Sequence, residues 1–208
     1  MRDKGQKAAE LILLFIGIPL LLYISHSNRL ILGTLIFASI GCCLYLITHQ
    51  YPFMSRVSVT KRAIWQTSVV TIVLIAVILG FAYYWSPERW LSFPLHQPQI
   101  WGLVMLLYPF ISAIPQELVY RSFFFHRYEH LFRSPGWLIV VNAVVFAMAH
   151  SMFRNPIAII FTFCGGLIFA YIYHRYRSLI LVSLVHAILG NAVFTSGLGM
   201  YFYHGRIT

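Results

Sequence analysis

The chain is 208 residues long, 60% hydrophobic and only 10% charged, with a net charge of +10. That balance, with a mean hydropathy of +0.77, excludes a water-soluble globular domain. The lysines and arginines stand singly between apolar runs, which excludes a clustered nucleic-acid surface; basic loops that orient membrane helices account for the charge.

The expected fold is all-α, a polytopic bundle of about seven transmembrane helices forming one integral membrane domain over residues 1–208. Arg2, Lys4 and Lys7 precede an apolar run from Ala8 to about Ile24. The run is too long for a signal-peptide h-region and no small-x-small cleavage site follows, so it reads as an uncleaved first span. A second span runs from about Leu30 to Ile47 and a third from about Ile64 to Trp85, each near the length that crosses hydrocarbon. SPERWLSFPLHQPQ, rich in Pro and polar residues, reads as an irregular interfacial loop.

The fourth helix starts near Gln99 and continues to about Phe132, too long for a simple crossing. Its end, FHRYEHLFR, is expected to leave the hydrocarbon at headgroup level. Pro115 can bend or interrupt it. Ser134-Pro135-Gly136 is a turn signal. Three further spans are expected: Trp137 to about Met152, Ile157 to Tyr173, and Leu179 to Leu198. Gly166 and Ala170 have small-xxx-small spacing, which permits close helix contact but is common by chance in apolar segments. Cys42, Cys43 and Cys164 show no paired framework or metal spacing and read as buried packing residues.

With the N-terminus inside, Arg2, Lys4, Lys7, Arg56, Lys61, Arg62, Arg127, Arg133, Arg175 and Arg177 fall on the cytoplasmic side. Arg29, Arg89, Arg154 and Arg206 fall outside, and Arg121 stays in the bundle. The asymmetry agrees with the positive-inside rule for seven spans. The expected location is the bacterial plasma membrane.

IPQELVYR, Ile114 to Arg121, is the one place where a carboxylate enters a long apolar run. Glu117 and Arg121 share a helix face, and intramembrane ionisable residues are expensive enough to mark function by default. Glu117 lies 17 residues before Ser134 and His150 lies 16 after it, so an antiparallel pair brings both to one level, roughly 25 Å from the turn. His186, nine residues beyond Arg177, approaches the same level from the last helix, nearer the cytoplasmic side. A lone His in a span more often bonds a neighbouring helix than catalyses, and Glu117 with Arg121 alone would serve as a packing ion pair. The coincidence of level raises the set above its members. His126, His130 and His174 lie near interfaces and read as solvated or lipid-facing.

QELVYR, then FAMAH (Phe146 to His150), then HAILGN (His186 to Asn191), resembles the three-motif pattern of the CPBP family. These are the CAAX prenyl proteases and bacteriocin-processing or Abi-type membrane enzymes, with EExxxR, FxxxH and HxxxN or HxxxD on successive helices. The resemblance implies a CPBP-like catalytic core over 99–199 and an intramembrane endopeptidase acting on a membrane-associated peptide or protein. The first motif Glu would be the general base for a water, with the histidines and the Asn or Asp completing the site. A carboxylate in a low-dielectric pocket can take a proton from water, and imidazole or amide donors can stabilise the oxyanion.

The sequence departs from the pattern twice. Gln116 holds the first Glu position, and an amide orients a water but accepts no proton from it. Glu117, next to it, points about 100° away on a regular helix and serves only where the helix is rotated or broken. Gly190 stands where Asn or Asp is expected, with Asn191 one place later and also needing a shift of register. Three readings follow. One is an active protease with Glu117 as base, His150 and His186 on water and carbonyl, and Arg121 holding Glu117. Another is a catalytically silent relative that binds peptides or partners, in an immunity or scaffold role. The last is a zinc hydrolase using Glu117, His150 and His186, ranked third because no HExxH occurs. No organic cofactor is required. A transporter is disfavoured by the single buried acid and the lack of paired broken helices.

Overall fold

The computed structural model describes residues 2–25, 27–53 and 59–202, and within them the chain is helical with no strand. Among the described residues six helices are long and apolar enough to cross a membrane. We label five of them α1 (Lys4–Ser25), α2 (Leu30–Thr48), α3 (Lys61–Trp85), α4 (Pro98–Leu131) and α6 (Pro156–Tyr176). The sixth is α5, whose regular part is Pro135–Ala149. The seventh expected span, α7 (Leu179–Thr195), is apolar but shorter, at 17 residues. At about 1.5 Å per residue it falls a little short of hydrocarbon thickness, and a short helix over Leu198–Phe202 follows it. Arg56 and Arg206, counted above for orientation, lie outside the described residues.

Helix starts follow the local chemistry. Ser134, Asn155 and Ser178 cap α5, α6 and α7 by accepting from the backbone N–H of Trp137, Ile157 and Leu181. Pro135 and Pro156 follow at first-turn positions where a missing N–H costs nothing. Thr60 does the same for α3 through Ala63. The loop before α4 is not wholly irregular: it holds two single turns, Pro87–Arg89 and Ser92–His96. They are joined at Leu91, which takes a left-handed φ of 55°.

The core lies around α5 and α6. Their apolar windows are 44% and 39% buried, against 6–17% for α1 to α4. The outer helices leave many large apolar side chains exposed, Phe37, Trp65 and Tyr84 among them, and a lipid environment suits such faces. With six helices long and apolar enough to cross a bilayer, this marks the chain as an integral membrane protein. The Gly166 position is used: a Cβ there would stand 3.0 Å from the Ala143 Cα, so α5 and α6 touch backbone to backbone. The cysteines correct the expectation of burial, since Cys42 and Cys43 are half-buried and Cys164 is exposed, all three free.

The polar end of α4 docks on α1 and on the α6–α7 turn. Arg127 grips Glu10 through Nε (3.0 Å) and Nη2 (2.7 Å), while the Tyr128 hydroxyl donates to the same carboxylate. Arg177 pairs with Glu129 at 2.7 Å. His126 is partly covered by the rings of Tyr45, His49 and Tyr51, whereas His130 is exposed.

Candidate active site

The fourth helix is not a regular α-helix. Two wide π-type turns, Pro109–Ala113 and Leu118–Phe123, flank the short segment Ile114–Glu117. A π turn inserts about one extra residue into the spiral, so everything after it is turned by about 100°. Glu117 thus takes the direction that residue 116 would have on an uninterrupted helix. Such turns strand backbone carbonyls, and two asparagines answer them. Pro109 has no N–H to offer the Met105 carbonyl, and Asn191 Nδ2 on α7 donates to that carbonyl at 3.2 Å. Phe124 N–H reaches past Tyr120 to the Val119 carbonyl, and Asn142 Nδ2 on α5 donates to the Tyr120 carbonyl at 2.6 Å.

Glu117 is fully buried. Its Oε1 accepts from His186 Nδ1 at 2.7 Å, and its Oε2 lies 3.1 Å from Arg121 Nε. Arg121 is also fully buried, its guanidinium 4.6 Å from the Phe146 ring centroid and 5.7 Å from that of Phe169. Cation–π contact offsets part of the desolvation of that charge. His186 stacks on Phe169 with centroids 4.6 Å apart, and its Nε2 lies 3.0 Å from the Tyr108 hydroxyl. Glu117 as a carboxylate only accepts, so Nδ1 carries the proton, and in the neutral imidazole Nε2 then accepts from Tyr108.

His150 closes α5 at the end remote from Ser134. Its Nδ1 donates to the Phe146 carbonyl at 2.8 Å, which leaves Nε2 as the nitrogen with a lone pair. It joins the group across Phe146, whose ring lies 4.8 Å from the His150 ring and 5.8 Å from that of His186. The structure therefore brings Glu117, Arg121 and His186 into direct contact and His150 to the same aromatic wall. Gln116 faces elsewhere, donating from Nε2 to Ser112 Oγ at 2.8 Å. Asn191 is turned to Met105 rather than to His186.

Several buried polar atoms here make no hydrogen bond among the described groups: Glu117 Oε2, both Arg121 Nη atoms, Gln116 Oε1 and Asn191 Oδ1. Buried polar atoms of this kind are rare in folded proteins and each calls for a structural or functional reason. Both His186 nitrogens are hydrogen-bonded within the protein, and among the described residues no group of three or more His, Cys, Asp or Glu is placed to hold a metal ion.

Two residues escaped the sequence reading. Tyr108 carries no signal beyond being one aromatic in an apolar run. Asn142 had one, as the single amide in the VVNAVV stretch of a span.

Residues 98–192 match the family model described as type II CAAX prenyl endopeptidase, Rce1-like. No curated protein and no solved structure matches the chain.

Proposed function

Because its segment 98–192 belongs to the Rce1-like type II CAAX prenyl endopeptidases, an intramembrane protease family, we propose that this chain is itself an active peptidase with Glu117 as its general base. The observation that carries the proposal is the buried Glu117 carboxylate held by His186 on one oxygen and Arg121 on the other. The π turn before it supplies the rotation that lets Glu117 do the work expected of position 116.

In this reading Glu117 takes a proton from a water whose oxygen attacks the peptide carbonyl carbon. His150 Nε2 accepts a hydrogen bond from the same water and orients it. Arg121 balances the charge of the carboxylate. As the tetrahedral intermediate collapses, the C–N bond breaks and the proton passes from Glu117 to the departing amine. The substrate class that suits a site among lipid-facing helices is the C-terminal peptide of a protein anchored by a prenyl chain. Gln116 and Asn191 serve the helix rather than the chemistry.

A farnesylated CAAX peptide presented to the purified protein in lipid nanodiscs tests this. Release of the C-terminal tripeptide is expected from the wild type, and a drop of roughly a hundredfold or more from His150→Ala. A folded wild type that binds the peptide without cutting it would instead support the silent reading, which the amide at Gln116 favours.

A further inference from the structure

Gly190 stands one helical turn after His186, at the place where the motif leads one to expect an amide or a carboxylate. Its backbone is ordinary helix, with φ not in the left-handed region, so conformation does not call for glycine. Glycine in a helix interior is otherwise unfavourable. The reason for it is steric: a Cβ added at Gly190 would overlap the Cε1, Cζ and hydroxyl oxygen of Tyr108. The volume in which a side chain at 190 would begin is filled by a phenol from α4.

That phenol does not merely fill space. Its hydroxyl is 3.0 Å from His186 Nε2, on the opposite side of the imidazole from Glu117, which His186 Nδ1 meets at 2.7 Å. Phe194 packs edge-on against the Tyr108 ring, centroids 5.3 Å apart, and restricts where the hydroxyl can point. With the imidazole neutral, the order Tyr108, His186, Glu117, Arg121 is a chain with one direction of donation, Tyr108 donating to Nε2 while Nδ1 donates to Glu117. A hydrogen bond on one ring nitrogen is what selects the proton position on the other.

We propose that Tyr108 is a positioning residue of the hydrolytic site and that Gly190 is its steric counterpart. Tyr108 supplies from α4 the polar group that position 190 lacks, and it holds His186 in the tautomer and ring orientation that serve Glu117. The role in turnover rests on Glu117 being the base; the packing and the tautomer do not.

Three measurements on the full chain in nanodiscs separate these points. For packing, Gly190→Ala is expected to lower the thermal midpoint in the Tyr108 background and to raise it slightly in the Tyr108→Ala background, where only the helix preference for alanine remains. Equal shifts in both would overturn the steric pairing. For the tautomer, protein labelled with nitrogen-15 histidine, with His186 assigned by its loss in His186→Gln, is expected to show the His186 Nε2 resonance displaced in Tyr108→Phe. An unmoved resonance would overturn the hydrogen bond. For turnover of a farnesylated CAAX peptide, Tyr108→Phe is expected to lower kcat about tenfold, the scale of one lost hydrogen bond, with KM little changed. Unchanged kcat would remove the positioning role. A wild type that cleaves nothing would defeat the protease reading, and the first two measurements would still judge Tyr108.

Discussion

The cost of burying Glu117 decides what its neighbours must do. A lone carboxylate in so dry a place would be several kcal/mol unfavourable, and so would a lone guanidinium. Together they are tolerable because Arg121 meets Glu117 at 3.1 Å and two aromatic faces, while His186 closes the other oxygen. Removing the cation should hurt more than losing the contact. Arg121→Leu is expected to destabilise the folded protein by roughly 3–5 kcal/mol, since Glu117 is left unpaired. Thermal unfolding in detergent measures it, and an unchanged midpoint would mean that the pair is not structural. Much of this was legible in the sequence: a Glu and an Arg four apart in an apolar run, one histidine spaced to meet them and a second spaced to reach the same aromatic wall. The direction of Glu117 against Gln116 was not, because adjacent residues differ only by a rotation that distant turns decide. The direction of Asn191 was not legible for the same reason. Its amide serves the Met105 carbonyl that Pro109 strands, a need visible only once the two helices are side by side.

At the level of helices, α4 is the working part. Its length of 34 residues was readable from hydropathy, and Pro115 marked it as irregular. The two π turns were not readable, since the same residues favour α and π turns alike and only tertiary partners pay the difference. Asn142 is such a partner. It donates to the Tyr120 carbonyl that the second π turn exposes, so Asn142→Leu is expected to cost about 1–3 kcal/mol. It should also reduce cleavage by loosening the segment that carries Arg121. A variant as stable and as active as the wild type would show that the π turn stands without Asn142. Gly166 shows the opposite kind of legibility. Its small-residue spacing is a weak signal that the fold in fact uses to bring α5 against α6.

For the molecule as a whole, burial is concentrated where the chemistry is. The helices α1 to α3 turn most of their surface outward, and α5, α6 and α7 enclose the polar chain that runs from Tyr108 to Arg121. The bundle and its approximate spans follow from hydropathy and basic loops alone, because lipid leaves the backbone few other solutions. The meeting of α4 with α7 at Glu117 and His186 depends on helix packing that periodicity does not encode. A carboxylate that takes a proton from the attacking water inside this shell is the central claim, and one comparison addresses it most directly. Glu117→Gln keeps the shape and removes the basicity. In nanodiscs, with folded protein confirmed by its thermal midpoint, the variant is expected to cleave a farnesylated CAAX peptide roughly a thousandfold more slowly than the wild type. Cleavage by Glu117→Gln at the wild-type rate would contradict the account.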